Sequence, residues 1–244
     1  MKIAIAGGSG FIGKKLTNHL VSLGHSIYIL TRDASNKPVK PNVTYIEWLA
    51  GGADPAKSIG QVDAIVNLAG ESIGEGRWTP ERKKKILQSR IQSTRSVVQL
   101  IKELSIKPQV LVNASAIGFY GHSFTHTFTE ESEPVEDHFL SHVVQNWEKE
   151  AEAASVYGVR VTYCRLGVVL DSNEGALARM LLPFRFYAGG PLGSGEQWMS
   201  WIHIDDVVQM FTFAIEHHEI KGPFNVTSPS PCKMNDFGKV VARV

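Results

Sequence analysis

"KIAIAGGSGFIGKKLTNHL", residues 2–20, decides the fold. A short apolar run passes directly into Gly7-x-x-Gly10-x-x-Gly13, and Phe11, Ile12, Leu16 and Leu20 then follow on a helical pattern. A strand that turns through glycines into a helix sets the helix's first N–H groups and the positive end of its dipole at the strand's C-terminal edge. Gly7 permits the tight turn, Gly10 lets the backbone approach a phosphate, and Gly13 lets helix and strand pack closely. The expected ligand is a dinucleotide pyrophosphate, held by Gly7, Ser9, Gly10, Phe11, Ile12 and Gly13. The alternative is an ordinary glycine-rich connection with no ligand.

Beyond this unit, apolar runs rich in β-branched residues alternate with stretches of helical period. "SIYILTR", "VTYIEW", "DAIVNLAG", "QVLVNASAI" and "RVTYCRLGVVL" read as strands, with helices over 11–23, 80–104 and 138–157. Thr79 is placed to cap the second of these helices, with Pro80 in its first turn and Leu87, Ile91, Val98 and Ile101 on one face. Such alternation implies parallel strands with crossover helices, a Rossmann-type doubly wound α/β sheet. From Asp171 the alternation gives way to "GGPLGSGEQ", "WIHIDDVV" and "GPFNVTSPSP". The expected division is therefore a nucleotide-binding domain over residues 1–170 and a smaller substrate lobe over 171–244, interleaved with the last sheet elements.

The second strand ends in Thr31 and Arg32, without the acidic residue that binds both ribose hydroxyls of NAD. A carboxylate there would repel a 2′-phosphate, whereas an arginine can grip it with a charge-assisted fork, so NADP(H) is the expected cofactor. A solvated Arg32 pairing with Asp33 is the alternative.

Composition agrees with a small-molecule protein. The 25 Lys and Arg against 24 Asp and Glu leave a formal charge of +1, too little for a field that would draw nucleic acid or a membrane surface. The two cysteines, Cys164 and Cys232, lie far apart and suit free thiols in a reducing compartment. No stretch has membrane-spanning length and "MKIAIAGGSG" is no signal peptide, so a cytoplasmic location is expected. The oligomeric state is left open.

"GGSGFIG", "NLAG" at 67–70, "NASAIGFYG" at 113–121, "WIHIDDVV" at 201–208 and "GPFNVT" at 222–227 together resemble the extended, epimerase-like branch of the short-chain dehydrogenase/reductase superfamily. Closer still is an atypical group known as epimerase family proteins, similar in its "RWT", "SR", "SAxGxYG", "WE" and "GGxLGSGxQ" segments; Arg77-Trp78-Thr79, Ser89-Arg90, Ser115 to Gly121, Trp147-Glu148 and Gly189 through Trp201 carry that likeness. The resemblance implies an NADP(H)-binding doubly wound sheet with a small C-terminal lobe. It assigns Leu68, Ala69 and Gly70 to the adenosine and ribose side of the cofactor, and Leu166 with Gly167 to the nicotinamide. Ser115 would correspond to the serine that hydrogen-bonds substrate.

The resemblance breaks in "DHFLSHVVQNWEKEA", 137–151. Aligned on Trp147-Glu148, the superfamily's tyrosine falls at Leu140 and its lysine at Val144, and neither apolar side chain can move a proton. The remaining candidates for acid/base work are Tyr120, a phenol five residues after Ser115, and Glu71, just beyond the fourth strand.

Weaker signals are His138 and His142 one helical turn apart, with His122 and His126 nearby, which lack a completing carboxylate motif and read as surface histidines, so no metal is expected. "RKKK" at 82–85, with Arg90 and Arg95, reads as a solvated basic face that could hold a phosphorylated substrate, and Arg77 and Arg185 are the better substrate-anion candidates. Phe237, Val240, Val241 and Val244 mark a final helix without a C-cap, which suggests a longer parent chain. Two functions are consistent with all this. One is an NADP(H)-dependent oxidoreductase or epimerase of a small substrate, phosphorylated or sugar-like. The other is a non-catalytic NADP(H)-binding sensor or scaffold.

Overall fold

The computed structural model describes residues 1–186, 189–190 and 193–242, the side chain of Arg185 excepted. Strands β1 (Lys2–Ala6), β2 (Ser26–Thr31), β3 (Val43–Glu47), β4 (Ala64–Asn67), β5 (Val110–Ala116), β6 (Arg160–Leu166) and β10 (Gly222–Val226) form one seven-stranded sheet, ordered β10-β6-β5-β4-β1-β2-β3. Every pairing in it is parallel. The chain runs outward from β1 through β2 and β3, then returns to build the other half from β4. The strand-order reversal between β1 and β4 leaves the crevice at the carboxyl ends of the strands where ligands of this fold sit.

Strand alternation sorts the core onto two faces. Ile3, Ile5, Ile27 and Ile29 pack with Leu16 and Leu20 of α1 (Phe11–Ser22) and with Val207, Phe211 and Ile215 of α6 (Ile204–Glu216). Ala4, Ala6, Leu30, Ile65 and Leu111 face the other way, onto Val97, Leu100 and Ile101 of α3 (Pro80–Glu103) and Ala151 of α4 (Phe139–Glu152). Both faces of each central strand are buried, which is why the strands read as near-continuous apolar runs. Thr79 caps α3 by accepting from the Arg82 backbone N–H at 3.3 Å. The buried stripe of that helix runs through Ile86, Ile91, Val97, Leu100 and Ile101, so Leu87 and Val98 flank it rather than lead it.

Residues 171–244 are shared between small sheets of their own and the main layers. β7 (Val168–Leu170) pairs with β9 (Trp201–His203), and β8 (Trp198–Met199) with β11 (Cys232–Lys233), in two small two-stranded sheets. α6 and β10, although beyond residue 171, belong to the main layers. α5 (Gly175–Arg185) stands over the crevice side, and α7 (Met234–Val241) has no fully buried residue. Val244, expected on its apolar face, lies outside the described residues. α2 (Pro55–Ile59) is a short turn capped by Asp54. No described helix is long and apolar enough to cross a membrane.

Candidate active site

The glycine turn is built as the spacing requires. Gly7 has φ of +80°, and a Cβ there would lie 2.8 Å from the Leu68 carbonyl, so the turn rests directly on the loop after β4. A Cβ on Gly13 would come 2.2 Å from the Gly7 oxygen, which only a bare backbone allows. Gly10 is the N-cap of α1 and its N–H is spent on Gly7 O at 3.0 Å; no side chain caps the helix and no acidic residue occupies its first turn. Among the described residues the first-turn N–H groups are thus free donors beside a cradle that a side chain would fill, and they suit a pyrophosphate. Ser9 is exposed on the turn, while Phe11 packs its ring against Gly175 at the start of α5. Leu68 and Ala69 are partly buried and Gly70 is exposed, directly beside this cradle.

At the end of β2, Thr31 donates its hydroxyl to Asp33 O at 3.0 Å. The Asp33 carboxylate is occupied by the Ser35 N–H at 2.8 Å and the Ser35 hydroxyl at 2.5 Å, bonds that hold it below the usual carboxylate range. Arg32 is exposed and has no ion-pair partner among the described residues, so the Arg32–Asp33 pair does not form.

Ser115, Arg165 and Asn225 stand in register across β5, β6 and β10. They carry a buried polar row. Ser115 donates to Glu148 Oε1 at 2.5 Å, and Arg165 grips the same carboxylate through Nε at 2.9 Å and Nη2 at 2.8 Å. Arg165 Nη1 donates to the Tyr120 hydroxyl at 2.8 Å, and that hydroxyl donates to Asn225 Oδ1 at 2.8 Å. The Glu130 carboxylate accepts from the Asn225 N–H at 2.7 Å, and the guanidinium lies 3.6 Å from the centre of the Phe119 ring. Burial pushes the Tyr120 phenol up, against the pull of Arg165 and Asn225. For Arg165 the balance goes the other way: burial opposes its charge, but Glu148 and Tyr120 outweigh it and raise its pKa.

The catalytic candidates are therefore not brought together in an open site. Ser115 is 1% exposed and Tyr120 5%, and each hydroxyl is committed within this network. Glu71, in the loop after β4, is outside this network and is bound by Arg82 Nη1 at 2.6 Å and Lys85 at 3.4 Å; the Arg82 hydrogen bond in particular keeps its carboxyl below the ordinary range, which makes it a weak base. Arg82 also bonds Ser72 O, Trp78 Nε1 donates to Ile73 O at 2.9 Å, and Arg179 of α5 reaches Gly74 O, so the loop 71–79 is clamped between α3 and α5. Arg77 is exposed on that loop, and the side chain of Arg185 lies outside the described part of the structure.

Leu140 packs against Gly118 of the 3-10 turn Ile117–Tyr120, where an added Cβ would sit 3.2 Å away, and Val144 is buried one turn later. Leu166 ends β6, partly buried, next to Ala116 and Val226. His138 precedes α4 and faces His122 at a ring separation of 6.2 Å. The basic stretch of α3 is not a free cationic face: Arg82 and Lys85 meet Glu71, Arg95 meets Glu150 through two bonds of 2.8 and 2.6 Å, and Arg90 turns inward. Arg165 and the pairing role of Glu148 went unread in the sequence; the signal was a lone charge inside an apolar strand.

Residues 3–227 match the profile described as the NAD dependent epimerase/dehydratase family. Epimerase family protein YfhF of Bacillus subtilis is 48% identical over 244 residues, which is all of this chain and 80% of that protein. The human epimerase family protein SDR39U1, solved with NADPH, is 32% identical and superposes with a TM-score of 0.82 over 99% of this chain and 80% of its own. A nucleoside-diphosphate sugar epimerase from Corynebacterium glutamicum is 34% identical with a TM-score of 0.81, covering 99% of this chain and 49% of that one. The seven-stranded sheet, the glycine cradle and these likenesses agree, and the chain belongs to the NAD dependent epimerase/dehydratase family.

Proposed function

We propose that the protein is an NADP(H)-binding, atypical short-chain dehydrogenase/reductase that acts as an oxidoreductase or nucleotide-sugar-type epimerase on a small, phosphorylated or sugar-like molecule. The observation that carries the cofactor choice is Arg32: exposed, without an ion-pair partner among the described residues, and at the end of β2, where the neighbouring Asp33 carboxylate is bonded to Ser35 rather than to the arginine. Gly7, Ser9, Gly10, Phe11, Ile12 and Gly13 hold the pyrophosphate, Thr31 and Arg32 the 2′-phosphate, Leu68 to Gly70 the adjoining ribose, and Leu166 the nicotinamide. The SDR39U1 structure with NADPH supports this reading.

Bound cofactor would supply or accept a hydride; the chain's own groups bind, orient and exclude water. Leu140 and Val144 stand where the superfamily carries its Tyr and Lys, so proton transfer must use another group or the substrate itself. With their hydroxyls committed as described, Ser115 and Tyr120 act as positioning residues that fix Arg165 and the strand ends. Glu71 acts as the anchor of the 71–79 loop. The same commitments favour a second reading, a cofactor-dependent sensor or scaffold.

Titrating NADPH and NADH against wild type and Arg32→Ala tests the proposal. Charge-assisted hydrogen bonds of about 1.5–3 kcal/mol predict a tenfold or greater preference for NADPH in wild type, lost in the variant. Equal wild-type affinities would overturn it. An absorbance screen of NADPH turnover against nucleotide sugars and sugar phosphates separates the two readings. No turnover, together with a partner interaction that depends on NADPH, selects the sensor.

A further inference from the structure

Asp33 is the side chain at the end of β2 that the NADP(H) reading leaves without a role. It follows Arg32 directly, and an ionised carboxylate there opposes a 2′-phosphate in two ways: it repels the phosphate and it competes for the arginine. Yet Arg32 is exposed with no ion-pair partner among the described residues, and the carboxylate is engaged elsewhere. Its Oδ1 accepts from both donors of Ser35, the backbone N–H at 2.8 Å and the hydroxyl at 2.5 Å. The Ser35 hydroxyl is the largest influence holding the Asp33 carboxyl below its ordinary range, with the Ser35 N–H next and Lys37 adding a smaller pull. Asp33 is therefore an anion at neutral pH, and where its charge is placed matters.

The turn after β2 is built to keep it there. Thr31 Oγ1 donates to Asp33 O at 3.0 Å and accepts from the Asp33 N–H at 3.4 Å, which pins the Asp33 backbone on the strand side. Asn36, with φ of +54°, closes the turn in the left-handed region that asparagine tolerates. One hydroxyl two residues before Asp33 thus fixes its backbone, and another two residues after it takes its carboxylate. A carboxylate bonded forward to residue 35 is curled along the turn instead of back over Arg32. Exposed bonds of this kind are individually weak, but so is the Arg32–Asp33 ion pair they compete with, so a modest bias leaves the guanidinium fork open.

We infer that Ser35 is a positioning residue for cofactor choice: by taking up the Asp33 carboxylate it leaves Arg32 free to hold the 2′-phosphate of NADP(H). This rests on the NADP(H) reading above. The test is a double-mutant cycle read by titration with NADPH, NADH, 2′,5′-ADP and 5′-AMP at low ionic strength. Ser35→Ala removes the hydroxyl from an exposed turn position and frees Asp33. It is expected to cut the preference for NADPH over NADH about three- to tenfold, with 2′,5′-ADP weakened to match and NADH and 5′-AMP bound as in wild type or more tightly. Asp33→Asn should bind NADPH at least as tightly as wild type. In the Asp33→Asn background, Ser35→Ala should then change NADPH affinity by less than about twofold, because the charge it steers is gone. Ser35→Ala with the wild-type preference overturns the inference. So does a loss that persists in the Asp33→Asn background, which would mean that Ser35 touches the phosphate itself, and so does an equal loss of NADPH and NADH, which would mean that it only holds the turn. Wild type with equal affinity for NADPH and NADH sinks the NADP(H) reading and this inference with it, whereas a wild-type preference that Ser35→Ala leaves intact sinks the inference alone.

Discussion

Replacing Glu148 by glutamine should be among the most destabilising single changes available to this protein. Its carboxylate receives three short bonds, from Ser115 at 2.5 Å and from Arg165 at 2.8 and 2.9 Å, with side-chain exposures of 11% for Glu148 and 4% for Arg165. Glutamine keeps the shape but offers one oxygen, turns an amide NH2 toward the guanidinium, and leaves Arg165 as an uncompensated buried charge. Breaking such a pair from one side costs about 3–5 kcal/mol. For a chain of this size that corresponds to a melting temperature lower by about 6–20 °C, at roughly 2–4 °C per kcal/mol. Urea unfolding of the cofactor-free protein at neutral pH measures it. The double variant Glu148→Met, Arg165→Met supplies the control, because removing both charges also removes their desolvation cost. It should be less destabilised than Glu148→Gln alone, though Ser115 and Tyr120 each lose a partner. A Glu148→Gln protein within about 1 kcal/mol of wild type would refute the claim that the pair is buried and mutually dependent.

Gly13→Ala drives a Cβ to 2.2 Å from the Gly7 oxygen and 2.7 Å from Gly8 Cα, so the helix must retreat from the turn. It should cost about 1–3 kcal/mol in thermal stability and abolish measurable NADPH binding by titration; normal affinity would mean the cradle tolerates a side chain. Asp171 accepts from the Asn173 N–H at 2.7 Å, its largest influence, and from the Glu174 N–H at 3.3 Å and Lys15 at 3.3 Å, which together hold its carboxyl below the ordinary range. Its stabilisation is therefore complete above the unfolded carboxylate value of about 3.9 and is lost as pH falls through the lower folded value. Asp171→Asn should flatten the acid limb of the stability profile below about pH 4, and an unchanged profile counts against the assignment.

The doubly wound sheet was legible because its evidence is local: a strand, three glycines at fixed spacing and a helix specify their own geometry, and apolar runs of strand length demand a layer on each side. The proposal of a 2′-phosphate site draws on equally local evidence, the side chain that ends β2, and is decided by the NADPH and NADH titration. The boundary at residue 170 rests on weaker signals: the alternation stops near Asp171, and an interleaved lobe is expected there, but only the pairing shows that α6 and β10 are the elements that join the main layers. Arg90 was misplaced for a related reason. A helix rich in Lys and Arg reads as a solvated face, and only the packing of α3 against α4 reveals that one arginine points inward under Gly70.

Ser115 and Tyr120 illustrate where sequence stops. A serine near the end of a strand in this fold sits one register position from the crevice, and a shift of one position reverses the face it points to. Here the row at the strand tips is Ala116, Leu166 and Val226, while Ser115 belongs to the row below it with Arg165 and Asn225. That register cannot be read from β5 alone, because it depends on how β6 and β10 pair with it. Yet one clue was available. An arginine in the apolar run "RVTYCRLGVVL" must find an acidic partner on whichever helix covers that face, and Glu148 in "NWEKEA" lies on the helix that crosses over from β5 to β6. Once that pair is drawn, the hydroxyls of Ser115 and Tyr120 have charged neighbours to satisfy, and the apolar Leu140 and Val144 no longer leave a gap among them. They are the packing surface of a helix whose polar commitments lie one turn further on, at Glu148.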